Sequence, residues 1–93
     1  MSYAVVSVHS PKPDHRAAVI DSMSRYSRVA REQPGLMWTG IVDDDTGRLV
    51  GIAVWDSLDS AVAARPALMA EVGDDPFTDW DEHPIDSLRG PVL

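Results

Sequence analysis

The chain has no cysteine, no apolar run approaching the roughly 20 residues that cross a bilayer, and few basic groups, eight against fifteen acidic ones. Without cysteine there are no disulfide staples, thiolate metal sites, iron–sulfur clusters or thiol nucleophiles. Met1-Ser2-Tyr3-Ala4 leads straight into Val5-Val6-Ser7-Val8, without the basic and apolar regions of a signal peptide. These absences predict a soluble, cytoplasmic protein. A formal charge of −7 removes the long-range attraction on which phosphate-backbone binding depends, so neither nucleic acid nor membrane is an expected partner. The charge is uneven: residues 1–42 carry five basic and three acidic groups, residues 43–93 three basic and twelve acidic. Arg25, Arg28 and Arg31 could form one basic stripe, but they read as a solvated helix face near a C-terminus.

What is present is enough for one domain, residues 1–93. A chain this short buries only roughly 60–70% of its unfolded surface, a shortage that packing against a second copy would relieve. Tyr3 to His9 alternates and is valine-rich, the pattern of a strand. After Ser10-Pro11-Lys12-Pro13-Asp14, the positions Val19, Ile20, Met23, Tyr26 or Ser27, and Ala30 recur at helical steps. Pro34-Gly35 stops that helix. Two apolar strands, 36–42 and 48–55, flank the turn cluster Asp43-Asp44-Asp45-Thr46-Gly47. Ser57 and Asp59 suit the start of a second helix. Pro66 predicts a kink there, or two short helices. A weak strand between Trp80 and Leu88 closes the series, with Pro84 at an edge or a bulge.

Strand, helix, strand, strand, helix, strand is the α+β, ferredoxin-like split βαβ order: an antiparallel four-stranded sheet with two helices on one face. Neither hairpin strand alternates cleanly, so both faces of the sheet are expected to be buried, one of them in a homodimer. If Gly47 is a bulge residue after a type I turn, position 38 pairs with 54 and 39 with 53. Met37, Thr39, Ile41, Gly51, Ala53 and Trp55 then share a face. An even-length loop would instead set Trp38 beside Ala53.

In this order of elements the chain resembles the antibiotic-biosynthesis monooxygenase-like family of the dimeric α/β-barrel superfamily. Pro34-Gly35-Leu36, Asp45-Thr46-Gly47-Arg48 and Trp55-Asp56-Ser57-Leu58-Asp59-Ser60-Ala61 carry the resemblance, which covers most of residues 3–72. It implies two ferredoxin-like subunits packed sheet to sheet, with a pocket between each sheet and its own helices. Members include cofactor-independent oxygenases of quinol or polyketide-like aromatics and haem-degrading enzymes. The haem-degrading branch uses an asparagine on the first strand and a tryptophan and a histidine on the second helix. This chain has no asparagine, and the other two positions fall near Ala63 and Gly73. Haem degradation is therefore rejected.

The candidate general base is His9, which ends the first strand in register with Tyr3, Val5 and Ser7, because imidazole titrates near neutrality. The alternative is a strand-end histidine with no task. Ser7, Tyr26, Trp38, Thr39 and Trp55 are the candidate ligand contacts. Small residues at 39, 51 and 53 leave a hollow suited to a planar aromatic molecule, although the same pattern suits a helix lying close to the sheet. His15 reads as ordinary surface. Asp79, Asp81, Glu82 and His83 read as a solvated acidic edge that discourages strand addition, and no metal site is expected. Asp43-Asp44-Asp45 lacks the pattern and the closing glutamate of a calcium loop. Two readings follow: a cofactor-independent monooxygenase of an aromatic substrate, with no metal or flavin, or a non-catalytic dimeric module that binds an apolar ligand or assists a partner.

Overall fold

The computed structural model describes residues 1–93. The elements are β1 (Tyr3–His9), a 3-10 turn (Pro13–His15), α1 (Arg16–Arg31), β2 (Leu36–Asp43), β3 (Leu49–Trp55), α2 (Leu58–Val72), a one-turn α3 (Phe77–Trp80) and β4 (Asp86–Pro91). The sheet order is β2-β3-β1-β4 with every neighbouring pair antiparallel, the ferredoxin-like arrangement expected. No helix is long and apolar enough to cross a membrane.

The period of α1 turns Val19, Met23, Ser27 and Ala30 into the interior, while Ile20 stays 37% exposed at the flank of the stripe. Ala30 from α1, Ala53 and Trp55 from β3, and Ala64 and Leu68 from α2 form the main core, so both helices cover one sheet face. Three of these five are alanines, which lets the layers approach closely around the single large indole of Trp55. Ser57 caps α2 by accepting from the Ser60 N–H at 3.1 Å. The helix then runs unbroken through Pro66 and is not divided into two. Pro66 and Val62 lie on the solvent side, where water can satisfy the carbonyl that the proline leaves unpaired.

Trp38 pairs with Val54 and Thr39 with Ala53, the register that goes with a bulged turn. Asp45 and Gly47 both take positive φ, 70° and 94°. One further irregularity alters the expected face. Between Leu36 and Trp38 the register shifts, so Leu36 stands opposite Trp55 and packs on the core, while Met37 is 62% exposed.

The two motifs on either side of this hairpin form one joint. Gly35, at φ 88°, accepts a hydrogen bond from the Asp56 N–H at 2.8 Å and lies against the Ser60 side chain.

The chain beyond α2 is tied down at three points. Asp75 accepts from Ser22 and, at 2.8 Å, from Arg25, both on α1. Trp80 packs on Val19, Met23 and Leu49. The Lys12 N–H donates to the Trp80 carbonyl and the Glu82 N–H to the Ser10 carbonyl, each at 2.8 Å, so Asp81 bridges to Pro11 beside the end of β1. The last strand begins only at Asp86, and Pro84 lies before it rather than at an edge position within it.

The opposite sheet face carries no helix. Trp38, Val42 and Leu88 lie there 52%, 44% and 63% exposed, beside Val6 and Ile52.

Candidate functional site

Between the sheet and the two helices lies a cavity of about 460 Å³, open to solvent beside α2. Alternation along β1 points Tyr3, Val5, Ser7 and His9 into it, and α1 contributes Met23 and Tyr26. Leu58, Val62 and Met69 of α2 line the mouth and account for much of the exposed apolar surface on that helix. Gly51 lets the tips of Met23 and Ser7 close in, since a Cβ there would lie 3.0 Å from both. The small-residue hollow is thus part packing and part cavity.

His9 is only 4% exposed, which excludes the solvent-facing strand end. Its Nδ1 lies 3.1 Å from Oδ2 of Asp81, which is also 4% exposed. The Phe77 ring lies against the imidazole, centroids 5.2 Å apart, and is itself braced edge-on by Trp80. Asp81 is therefore not part of a solvated acidic edge, whereas Asp79, Glu82 and His83 do face solvent. The short helix α3 and the bridge to Pro11 turn this one carboxylate inward. With Nδ1 engaged by Asp81, the other ring nitrogen, Nε2, bonds no protein group, and His9 is one of the residues that line the cavity. The second carboxylate oxygen, Oδ1, is buried without a protein hydrogen-bond partner. No three His, Asp or Glu side chains converge as metal ligands would.

Ser7, Tyr26, Thr39 and Trp55 all line the cavity. Trp38 does not: it sits on the helix-free face, its indole lying over Gly40. Sequence left its face open between two hairpin registers, and the bulged one turns it away. Thr39 donates its hydroxyl proton to the Ile52 carbonyl at 3.0 Å and meets Ser27 Oγ at 3.2 Å, so it has no proton left for a ligand. The Tyr26 hydroxyl makes no protein hydrogen bond. Burial raises its pKa, an effect opposed by the positive charges of Arg89 and Arg65. His15 is half-buried and lies outside the cavity.

Sequence reasoning missed Asp81, Phe77 and the two arginines. The signal available for the first two was compositional: Phe77 and Trp80 are two of the six aromatics, placed in an otherwise acidic tail. Such residues anchor a segment to a core and do not decorate an exposed edge.

No protein-family model matches the chain, and no curated protein matches it either. Solved structures do. A candidate antibiotic biosynthesis monooxygenase from Nitrosomonas europaea superposes with a TM-score of 0.81 at 22% identity, covering 98% of each chain. SnoaB, a cofactor-independent oxygenase from Streptomyces nogalater, gives 0.78 at 16% identity, over 99% of this chain and 93% of its own. Rv0793 from Mycobacterium tuberculosis gives 0.80 at 20% identity, over 100% and 96%. The chain therefore has the antibiotic-biosynthesis monooxygenase fold. At these identities the shared fold transfers no residue role.

Proposed function

We propose that the protein is a small cofactor-independent oxygenase, binding an aromatic, polyketide- or quinol-like molecule in the cavity, with His9 as its general base. The observation that carries this reading is the His9–Asp81 pair: a base oriented by a buried carboxylate, at the wall of an apolar, ligand-sized cavity. Asp81 accepts the Nδ1 proton of neutral His9, which leaves the Nε2 lone pair directed at the ligand space. An acidic phenol or anthrone methylene held there would lose its proton to Nε2. Asp81 would stabilise the imidazolium formed, as a buried carboxylate does for a catalytic histidine. The resulting carbanion is itself the reductant of dioxygen; an anthrone methylene and O₂ give a quinone carbonyl and water, so electrons balance without an added cofactor. Trp55 and Tyr26 would hold the rings. SnoaB, described as a cofactor-independent oxygenase, shows that the fold accommodates such chemistry.

The functional unit in this reading is a homodimer joined through the helix-free sheet face. A contiguous apolar patch with Trp38 and Leu88 at its surface is the kind of area that a second copy covers.

The test is oxygen uptake by metal-free, flavin-free protein against a panel of quinols and anthrones, with His9→Ala alongside. General-base loss should lower the rate by about 10²–10⁴-fold. Equal uptake in both proteins would remove His9 from the mechanism, and no uptake on any substrate would favour a non-catalytic ligand-binding module of the same fold.

A further inference from the structure

Fifteen Asp and Glu residues outnumber eight Lys and Arg in this chain, yet not one carboxylate-bearing residue is among the 26 that line the cavity, while two arginines are. Arg65 comes from α2 and Arg89 from β4. Arg16, Arg25, Arg28 and Arg48 are all paired with carboxylates. Neither Arg65 nor Arg89 has a carboxylate within ion-pair distance, and neither makes a side-chain hydrogen bond to protein. The other unpaired cations, Lys12 and Arg31, do not line the cavity.

The two arginines also have a defined position along it. Arg89 stands opposite Val5 on β1, four residues from His9, or about 13 Å along the strand at ~3.3 Å per residue. Arg65 belongs to the α2 mouth with Leu58 and Val62, and both guanidinium charges are felt at Tyr26. The cavity thus has its cations towards one end and the imidazole of His9 at the other, with the Ser7–Ser87 pair between them along the strands.

We infer that the cavity selects an anionic ligand, an elongated aromatic acid whose carboxylate is taken by Arg65 and Arg89 while its far end reaches His9. An unpaired guanidinium offers a fork of donors that matches a carboxylate, and an exposed mouth keeps its charge hydrated until the ligand arrives. Two such groups at the mouth of an otherwise acidic protein attract the ligand locally against the field of the whole molecule. The free hydroxyl of Tyr26 adds a donor at the same end. This inference rests on the cavity being the ligand site, but not on any turnover.

The test compares two probes of the same shape, anthracene-2-carboxylate and 2-(hydroxymethyl)anthracene, by fluorescence titration of the intact protein. The carboxylate should bind about tenfold to a hundredfold tighter, the range of a charge-assisted hydrogen bond. Raising salt should weaken the carboxylate alone. The double variant Arg65→Gln/Arg89→Gln, checked for an unchanged melting temperature, should lose the preference and bind the two probes alike. Should it melt early, Arg65→Gln and Arg89→Gln singly must each narrow the preference. Equal affinity in the native protein, a preference that survives the loss of both arginines, or no binding of either probe would overturn the inference. Selective binding without oxygen uptake would uphold charge selection and remove the oxygenase, whereas uptake from neutral and anionic substrates alike would do the reverse.

Discussion

Nδ1 of His9 and Oδ2 of Asp81 meet at 3.1 Å across 72 residues of sequence, with both side chains more than nine-tenths buried. A carboxylate can only accept, so Nδ1 carries the proton and Nε2 the lone pair whenever His9 is neutral. Nitrogen NMR of ring-labelled protein should show the Nδ1–H tautomer. Asp81→Asn keeps the shape of the contact but can also present an N–H to Nδ1, and should populate the Nε2–H form. Oxygen uptake should fall with it, by up to the about 10²–10⁴-fold expected of a lost base. An unchanged tautomer in the variant would detach Asp81 from this role.

Gly35 is the joint between the end of α1 and the start of α2, and its replacement tests that joint. At φ 88° a side chain is strained, and a Cβ there would lie 2.6 Å from Ser60 Cβ and 2.7 Å from an Asp56 carboxylate oxygen. Gly35→Ala should destabilise by more than about 1 kcal/mol, read as a lower denaturation midpoint with an unchanged slope. Gly47, also at positive φ but with nothing within 4 Å, should lose only the backbone part of that penalty on conversion to alanine.

The helix-free face gives a prediction about mass. Light scattering at micromolar concentration should report twice the 10.1 kDa of the chain. Leu88→Asp puts a charge in the middle of the patch and should give monomer, or at least about tenfold weaker association, without unfolding the subunit. A monomeric native protein would contradict the dimer.

Asp44 organises the hairpin turn. It accepts from the backbone and hydroxyl of Thr46 and from the backbone and guanidinium of Arg48. Led by the Thr46 hydroxyl, these bonds hold its carboxyl well below the usual carboxylate range. A depressed folded-state value means that the stabilisation is present above the unfolded value, about 3.9, and is lost as pH falls below it towards the folded one. The melting-temperature gap between native protein and Asp44→Asn should therefore stay level from neutrality to about pH 5 and narrow below about pH 4. A gap that widens on acidification would refute the assignment.

The fold was legible because its determinants are local. Helical spacing from Val19 to Ala30, the Ser57 cap and the Asp-rich turn each act within a few residues, and together they set the element order. One local feature escaped: the extra residue at Met37, which no hydrophobic pattern announces, exchanged Met37 for Leu36 on the core face. The site was half legible. His9, Ser7, Tyr26, Thr39 and Trp55 lie on the regular strands and on α1, where periodicity tells which way a side chain points. Asp81 lies in a short irregular segment without a period, so its acidic neighbours suggested solvent. Its burial comes from Trp80 docking on α1 and from the two backbone bonds to Ser10 and Lys12, which only tertiary structure supplies. Pro66 misled in the other direction, because a helix exposed on one side tolerates the missing donor.

The anchoring of Asp81 beside the end of the first strand has a consequence for synthesis. His9 is made with the first strand, and Asp81 follows only after both long helices and α3, 72 residues later. A nascent or C-terminally shortened chain ending after α2 would possess three strands, two long helices and a histidine with no orienting carboxylate. In the reading proposed above, the orientation of His9 therefore waits on the docking of the segment that follows α2, long after the first strand itself has been made.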